Sequence, residues 1–404
     1  MTREQQREYK RQKIREQRRR EREAWEAARG PMDLPFLLLA LILLVIGLIM
    51  LLSASFPSAQ ASKSCGYDPL YYFKRQGAFA LLGLFAMFWV SKINYQRFRG
   101  LARVAIVASI VLLVLVAIPG IGIWRNGARR WLGIPGTSFQ FQPSELAKLG
   151  IIVYFSASIA KKREKMLTFK NGILPYGLML MAIAVLMAME PHASGMVLLV
   201  GIGAVLMVVG GIDWRWVAAG LTGGAAGGYL LLFTDLMEKI GYNSDRIATW
   251  RDAFWDPTDK SFQMAQSLIA IGSGGLLGLG LGKGRQKFMF LPEEHNDFIF
   301  AIVCEELGLV GATLIMILFA LLIIRGYWLA LHARDKFGAL TIVGIITLFA
   351  TQVFLNIAVV TNLIPNTGIS LPFFSYGGTA LLIQLGEMGM ILSISRQIPA
   401  PKHD

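Results

Sequence analysis

The sequence predicts an all-α polytopic membrane protein of about ten transmembrane helices, with one long extracytoplasmic loop between spans seven and eight. Three observations carry that expectation. Hydrophobic residues make up 54% of the 404, and mean hydropathy is +0.52. Charged residues make up 16%, against about 25% in soluble domains. The apolar residues also fall in blocks, and a bilayer span takes about 20 of them in a helix.

In chain order, residues 1–33 come first, with eleven Lys/Arg and seven Asp/Glu. This segment reads either as a solvated tail or surface helix that enforces orientation, or as a basic arm on anionic lipid headgroups or a cytoplasmic partner. It lacks the apolar stretch and small-residue cleavage site of a signal peptide, so the first span is expected to act as the insertion signal. Apolar runs between charge and Gly/Pro punctuation then place spans at 34–55, 76–93, 101–120, 143–160, 174–189, 194–211, 214–233, 297–324, 337–361 and 376–395. The segment 143–160 opens with QPSELAK and 214–233 is rich in glycine, so these two carry the faintest span signal. The division expected is a basic cytoplasmic segment 1–33, a membrane domain 34–398 containing the loop 234–296, and a short cytoplasmic tail 399–404.

The formal charge of +14 suits nucleic acid less well than it suits topology, because basic residues in short loops mark the cytoplasmic side. With the N-terminus inside, 26 of the 40 Lys/Arg fall on inner segments. Both termini are therefore expected in the cytoplasm of a multi-pass protein. Cys304 falls within a span and Cys65 in a loop, so no disulfide is expected between them. The four histidines show no metal-ligand spacing, and no internal repeat of the kind that builds many transporters is visible.

Charge within a span is costly, and the exceptions gather towards the outer face. Arg125, Arg129, Arg130 and Trp131 precede the fourth span, and Glu145 and Lys148 lie just inside it at i, i+3, where they share a helix face. The pair reads as a structural ion pair, or, with the arginines, as part of an anion site. Pro143 suits a helix start, with Ser144 or Gln142 available to cap it. In the long loop, the glycines from Gly272 to Gly282 could form a backbone nest for phosphate or allow close helix packing. Lys283, Arg285 and Lys287 follow. Asp297, at the entrance of the eighth span, could cap that helix or act as a general base. Glu305 or Glu306, deeper in the same span, could pair with a cation such as Lys148. His192, with Glu190 beside it, occupies a tight outer turn.

These motifs resemble the SEDS family (shape, elongation, division and sporulation), integral membrane proteins that include FtsW, RodA and SpoVE. The resemblance runs from about residue 34 to 398. It rests on NGARRWLG (126–133), QPSELAKL (142–149), GGLLGLGLG (274–282) with LPEEHNDFIFAIVCEELG (291–308), and LPFFSYGGTALL (371–382). It implies a ten-span peptidoglycan glycosyltransferase of the bacterial cytoplasmic membrane. Its substrate would be lipid II, a disaccharide-pentapeptide on undecaprenyl pyrophosphate, and its partner a class B penicillin-binding protein within a divisome or elongasome. The Asp of the family's H-x-D-F motif, required for polymerisation, falls on Asp297. The family's cavity motifs fall on Arg130, Trp131, Glu145 and Lys148, and its C-terminal signature on Pro372, Ser375, Tyr376, Gly377 and Gly378. Many members carry Q-P-D-x-G-T where this chain has EPHASG (190–195), so the role of that Asp does not transfer to His192. The NTGISLPFFSYGGTALL and ILSISRQ stretches look more like the division and sporulation branch.

The expected mechanism makes Asp297 the base for the acceptor hydroxyl. A substrate-binding set of Arg75, Arg129, Arg130, Trp131, Glu145, Lys148, Lys283, Arg285, Lys287, Ser375 and Tyr376 surrounds it. No cofactor is built in; a divalent cation, Mg or Mn, is the one helper the pyrophosphate chemistry would admit. The rival readings are a lipid II flippase and a non-catalytic cell-wall scaffold.

Overall fold

Lipid gives the backbone no hydrogen-bond partner, so an apolar block that crosses it folds as a helix. The computed structural model describes residues 30–125, 128–133, 140–190, 193–233 and 244–398, with Tyr9, Gln12, Lys13 and Glu16 as isolated positions before them. A helix stands at the place of every expected span. These are α1 (Leu34–Ala61), α2 (Tyr71–Lys92), α3 (Gln96–Ala117), α4 (Pro143–Lys162), α5 (Leu174–Met189), α6 (Ala193–Gly210) and α7 (Trp214–Phe233), and later α10 (Ile299–Leu331), α11 (Lys336–Val360) and α12 (Gly378–Ser395). Among the described residues, six helices are long and apolar enough to cross a membrane by length and composition alone: α1, α3, α5 with the π-turn before it, α10, α11 and α12. Large apolar side chains such as Leu81, Phe85, Val104, Met181 and Leu221 are more than 60% exposed, as a lipid-facing belt requires. The protein is an all-α, multi-pass membrane protein.

Helix ends are fixed by side chains that can be read in the sequence. Asp33 caps α1, accepting from Phe36 N at 2.9 Å, and also pairs with Arg325 of α10. Asp335 caps α11 by accepting from Gly338 N, and takes further hydrogen bonds from Tyr95 and Gln96 of the α2–α3 connection. α12 lies along α2 closely enough that a Cβ on Gly389 would sit 2.6 Å from the Met87 carbonyl oxygen.

Three features at the end opposite Asp33 and Asp335, here the loop end, go beyond the expectation. A three-stranded antiparallel sheet joins α3 to α4, made of β1 (Ile123–Arg125), β2 (Ala128–Gly133) and β3 (Gln140–Phe141). The long loop holds two helices, α8 (Ser244–Arg251) and α9 (Phe262–Gly274), the latter tied to α11 by Ser267 Oγ donating to Val360 O at 2.9 Å. And α10 breaks at Gly308, whose φ is 66°.

That break decides between the two readings of the glycine run. Backbone N–H groups of the run are consumed by α10 and are not aimed at a ligand. Leu279 N donates to Glu305 O, Gly280 N to Glu306 O, and Gly282 N and Gly284 N to the Glu306 carboxylate at 3.0 and 3.3 Å. A Cβ on Gly278, itself at φ 79°, would lie 2.2 Å from Glu306 O. The glycines serve close packing, so the phosphate-nest reading is withdrawn.

The anticipated pairing of Glu305 or Glu306 with Lys148 is also corrected. Glu306 pairs with Lys287 at 2.6 Å, both almost fully buried, and Ser53 of α1 donates to the same carboxylate at 2.7 and 2.8 Å. Glu305 accepts from Arg285 N at 2.7 Å and Gln286 N at 3.2 Å. Two adjacent carboxylates of α10 thus hold the segment 282–287 against the break.

Candidate active site

Asp297 lies just before α10, in a turn started by Glu293, whose φ is 57°. The capping alternative fails there: the residue at the cap position is Phe298, and no side chain caps the helix. What fixes Asp297 is its backbone. Three consecutive carbonyls are each taken by a group from the segment 356–376. His295 O accepts from Tyr376 N at 2.9 Å, Asn296 O from Ser375 Oγ at 2.7 Å, and Asp297 O from Asn356 Nδ2 at 2.7 Å. Asn356 of α11 donates again to Ile369 O, and Gln76 of α2 donates to Ser375 O and accepts from Gly377 N. The Tyr72 ring packs on both His295 and Tyr376, with centroids 4.3 and 4.8 Å away. The main chain is therefore clamped while the carboxylate is left for other work.

The carboxylate faces Gly368, at φ 65°, where a Cβ would sit 3.3 Å from Asp297 Oδ2. Gly368 also lines a cavity of about 60 Å³ whose wall includes Glu145 and Lys148 of α4, Ser194 and Gly195 of α6, and Gln352 of α11. Two helix N-termini, those of α4 and α6, reach this cavity, and such termini favour negative charge. Lys148 and Glu145 form the expected i, i+3 pair at 2.7 Å, with Lys148 buried and Glu145 half-buried. Gln142, at the cap position of α4, makes no side-chain cap, so the predicted cap is absent while Pro143 does hold the first turn.

Electrostatics joins a strand to this cavity. Arg130 and Leu132 alternate with Arg129 and Trp131 along β2, so the two pairs point to opposite faces of the strand. Leu132 is buried. Arg130 on the Leu132 side interacts with Asp297, with Glu190 at the end of α5, and repulsively with Arg246 of α8. Burial pushes the Asp297 carboxyl up to about 6, with Glu293 adding to the rise and His295 and Arg130 opposing it. Burial pushes Glu190 up to about 7, and Arg130 opposes that rise too.

The structure thus brings together Asp297, Arg130, Glu145, Lys148, Ser375 and Tyr376, the last two through backbone and ring contacts. Arg75 lies one helical turn from Tyr71, whose hydroxyl it binds at 2.7 Å. Arg129 and Trp131 are on the opposite face of β2. Lys283 and Arg285 are exposed on the segment held by Glu305 and Glu306. Lys287 is not brought to the site, because it is buried and committed to Glu306. His192 lies outside the described residues, as do most of the N-terminal arm and the C-terminal tail. Arg246, Asn356 and Glu387 carry no signal in the sequence, and Glu190 stands out there only as the neighbour of His192. Glu387 of α12 is buried within electrostatic reach of Lys148 and Glu145. Helical periodicity pairs residues on one helix and gives no signal for such contacts between helices.

Comparisons with known proteins agree with this picture. The family model for FtsW, RodA and SpoVE, described as cell cycle protein, matches residues 33–399. The chain is 42% identical to a probable peptidoglycan glycosyltransferase FtsW of Geobacter sulfurreducens over 367 residues, 91% of this chain and 95% of the relative. It is 41% identical to stage V sporulation protein E of Bacillus subtilis over 365 residues, 90% of this chain and 97% of the relative. Among solved structures it is similar to a chain of a peptidoglycan synthase complex that coordinates polymerization and crosslinking. There the TM-score is 0.74 at 26% identity, covering 92% of this chain and 99% of that one. It is also similar to the rod shape determining protein RodA of Thermus thermophilus, with a TM-score of 0.65 at 27% identity, covering 91% and 98%.

Proposed function

This chain belongs to the FtsW, RodA and SpoVE family of cell cycle proteins, and from that premise we propose that it is a peptidoglycan glycosyltransferase that polymerises lipid II at the outer face of the bacterial cytoplasmic membrane. The observation that carries the reading is the Asp297 carboxylate. The backbone from His295 to Asp297 is clamped by three hydrogen bonds, the carboxylate is spent on no helix cap, and it lies within electrostatic reach of Arg130. A base must be placed before it is useful, and its affinity for a proton must suit the working pH; this carboxylate meets both conditions.

In the reaction proposed, Asp297 takes the proton of the acceptor sugar's 4-hydroxyl as that oxygen bonds to the donor's anomeric carbon. The bond from that carbon to the pyrophosphate oxygen breaks, and the lipid-linked pyrophosphate leaves with its electron pair. Arg130 and Arg246 supply positive charge where negative charge develops. The cavity beside Glu145 and Lys148 holds polar parts of the substrate. Among the described residues no three His, Cys, Asp or Glu side chains converge on a metal position, so no step is routed through a Mg or Mn ion.

The relatives' names support the activity, and the similar chain from a peptidoglycan synthase complex supports a class B penicillin-binding protein as partner. The loop end then faces outwards and both chain ends lie in the cytoplasm. The test is glycan-chain formation from purified lipid II by wild type and Asp297→Asn, with and without the transpeptidase, its own active site blocked, and with and without a chelator. Polymer from wild type alone supports the assignment; polymer from Asp297→Asn removes the base. No polymer from any folded sample overturns the enzyme reading, and lipid II movement across vesicle membranes becomes the next measurement.

A further inference from the structure

Glu190 is a buried acid that the reaction above does not use. It closes α5, is 1% exposed, and its Oε1 has no hydrogen-bond partner among the described residues. Desolvating a carboxylate oxygen that accepts no hydrogen bond is unfavourable, so such a group persists only where a nearby charge compensates it. Among the described residues the charge that does so is Arg130. Arg130 is drawn in turn towards both Glu190 and Asp297, and is repelled by Arg246. Glu293 and His295 also act on Asp297. Four and five residues beyond Glu190, Ser194 and Gly195 line the cavity that Gly368 shares with Asp297. One guanidinium therefore acts on two carboxylates, the buried Glu190 at the end of α5 and Asp297 beside that cavity.

We propose that Glu190 is a positioning residue of this site: it shares the Arg130 guanidinium with Asp297 and so sets how strongly that charge acts on the base and on the departing pyrophosphate. The proposal rests on the glycosyltransferase reading for its catalytic consequence, but the sharing of Arg130 is a property of the protein alone. Ionised Glu190 draws Arg130 from Asp297 and keeps the base basic. Neutral Glu190 returns the full charge to Asp297, which then holds its proton less well and accepts one from a hydroxyl less readily. On this proposal the ionisation of one carboxylate is felt by the other through the shared cation. Burial already places the Glu190 carboxyl near neutrality, where this exchange occurs.

Two measurements on the full-length protein test it. In the polymerisation assay, Glu190→Gln keeps the side chain's shape and removes its charge. The acid limb of its rate profile should move to lower pH and become a single ionisation, with kcat at pH 8 about tenfold lower and KM for lipid II little changed. A profile that superimposes on wild type would overturn the proposal, as would a change in KM alone. Independently of turnover, pH-difference infrared spectra of wild type against Glu190→Gln isolate the Glu190 carboxyl band. In an Arg130→Ala background that band should titrate at higher pH. If it titrates at the same pH with and without Arg130, the carboxylate does not share that cation. Should wild type form no polymer, the glycosyltransferase reading fails and the infrared titration still decides whether Glu190 and Arg130 are linked. Thermal unfolding of Glu190→Gln separates these effects from a folding defect.

Discussion

At Asp297 catalysis and stability pull in opposite directions, and the sign can be worked out. A base must be ionised, so turnover should fall as pH drops through about 6. The folded protein binds that proton more tightly than the unfolded chain, whose carboxyl has its ordinary value of 3.8. The stabilising contribution of this group is therefore fully present below pH 3.8 and is lost as pH rises through about 6. At pH 8 the ionised carboxylate costs the fold up to about 3 kcal/mol. Asp297→Asn, inactive as a polymerase, should consequently unfold at a higher temperature than wild type at pH 8 and lose that advantage at pH 3.5. A lower melting temperature at pH 8 would mean that the carboxylate is structural after all. The motif made Asp297 legible in the sequence, but its freedom from capping was not. Both a cap and a base sit one or two residues before a helix, and only the backbone clamp from Tyr376, Ser375 and Asn356 separates them.

At the scale of the element, the buried pair Lys287–Glu306 shows why some of the cations predicted for substrate are not available to it. Lys283, Arg285 and Lys287 look alike in sequence. The break at Gly308 lets the preceding segment fold back onto α10, so Glu306 meets Gly282 N, Gly284 N, Ser53 and Lys287 at once. Removing one partner of a buried pair leaves an uncompensated charge, at a cost of about 3–5 kcal/mol. Lys287→Ala should therefore unfold markedly earlier than wild type, while Lys287→Met with Glu306→Leu should recover much of the loss by replacing the pair with apolar contact. Polymerisation should fall in both, because the same segment leads on to His295 and Asp297. Equal thermal stability of Lys287→Ala and wild type would show the pair to be incidental. The short sheet was missed for a different reason. Its charges dominate the chain from 121 to 142 and mask it, although Asn126–Gly127 between Trp124–Arg125 and Ala128–Arg129 is a strong hairpin signal.

Across the whole molecule, the bilayer makes the helices legible: each apolar block had to be a helix, and each is one, though α1 and α10 run six and seven residues past their expected ends. The same principle leaves the number of crossings dependent on the less apolar helices α2, α4 and α7 and on α6, which is apolar but short; polarity in a span is tolerated through neighbours that sequence does not show, as Lys148 is by Glu145 and Glu387. Parity offers a direct test. Lys63 follows α1 and Arg334 follows α10, and both are exposed. Seven helices lie between them that would cross, α2 to α7 and α10; α8 and α9, with 8 and 13 residues, span about 12 and 20 Å, short of the roughly 30 Å of hydrocarbon. An odd number of crossings puts the two positions on opposite sides. With the buried Cys65 and Cys304 replaced by alanine, Lys63→Cys in intact cells should react with a membrane-impermeant thiol reagent. Arg334→Cys should react only after the membrane is opened. Labelling of both from outside would remove one crossing, with the glycine-rich α7 the first to reconsider. It would also place the N- and C-terminal ends of the chain on opposite sides, against the Lys/Arg distribution that set the orientation.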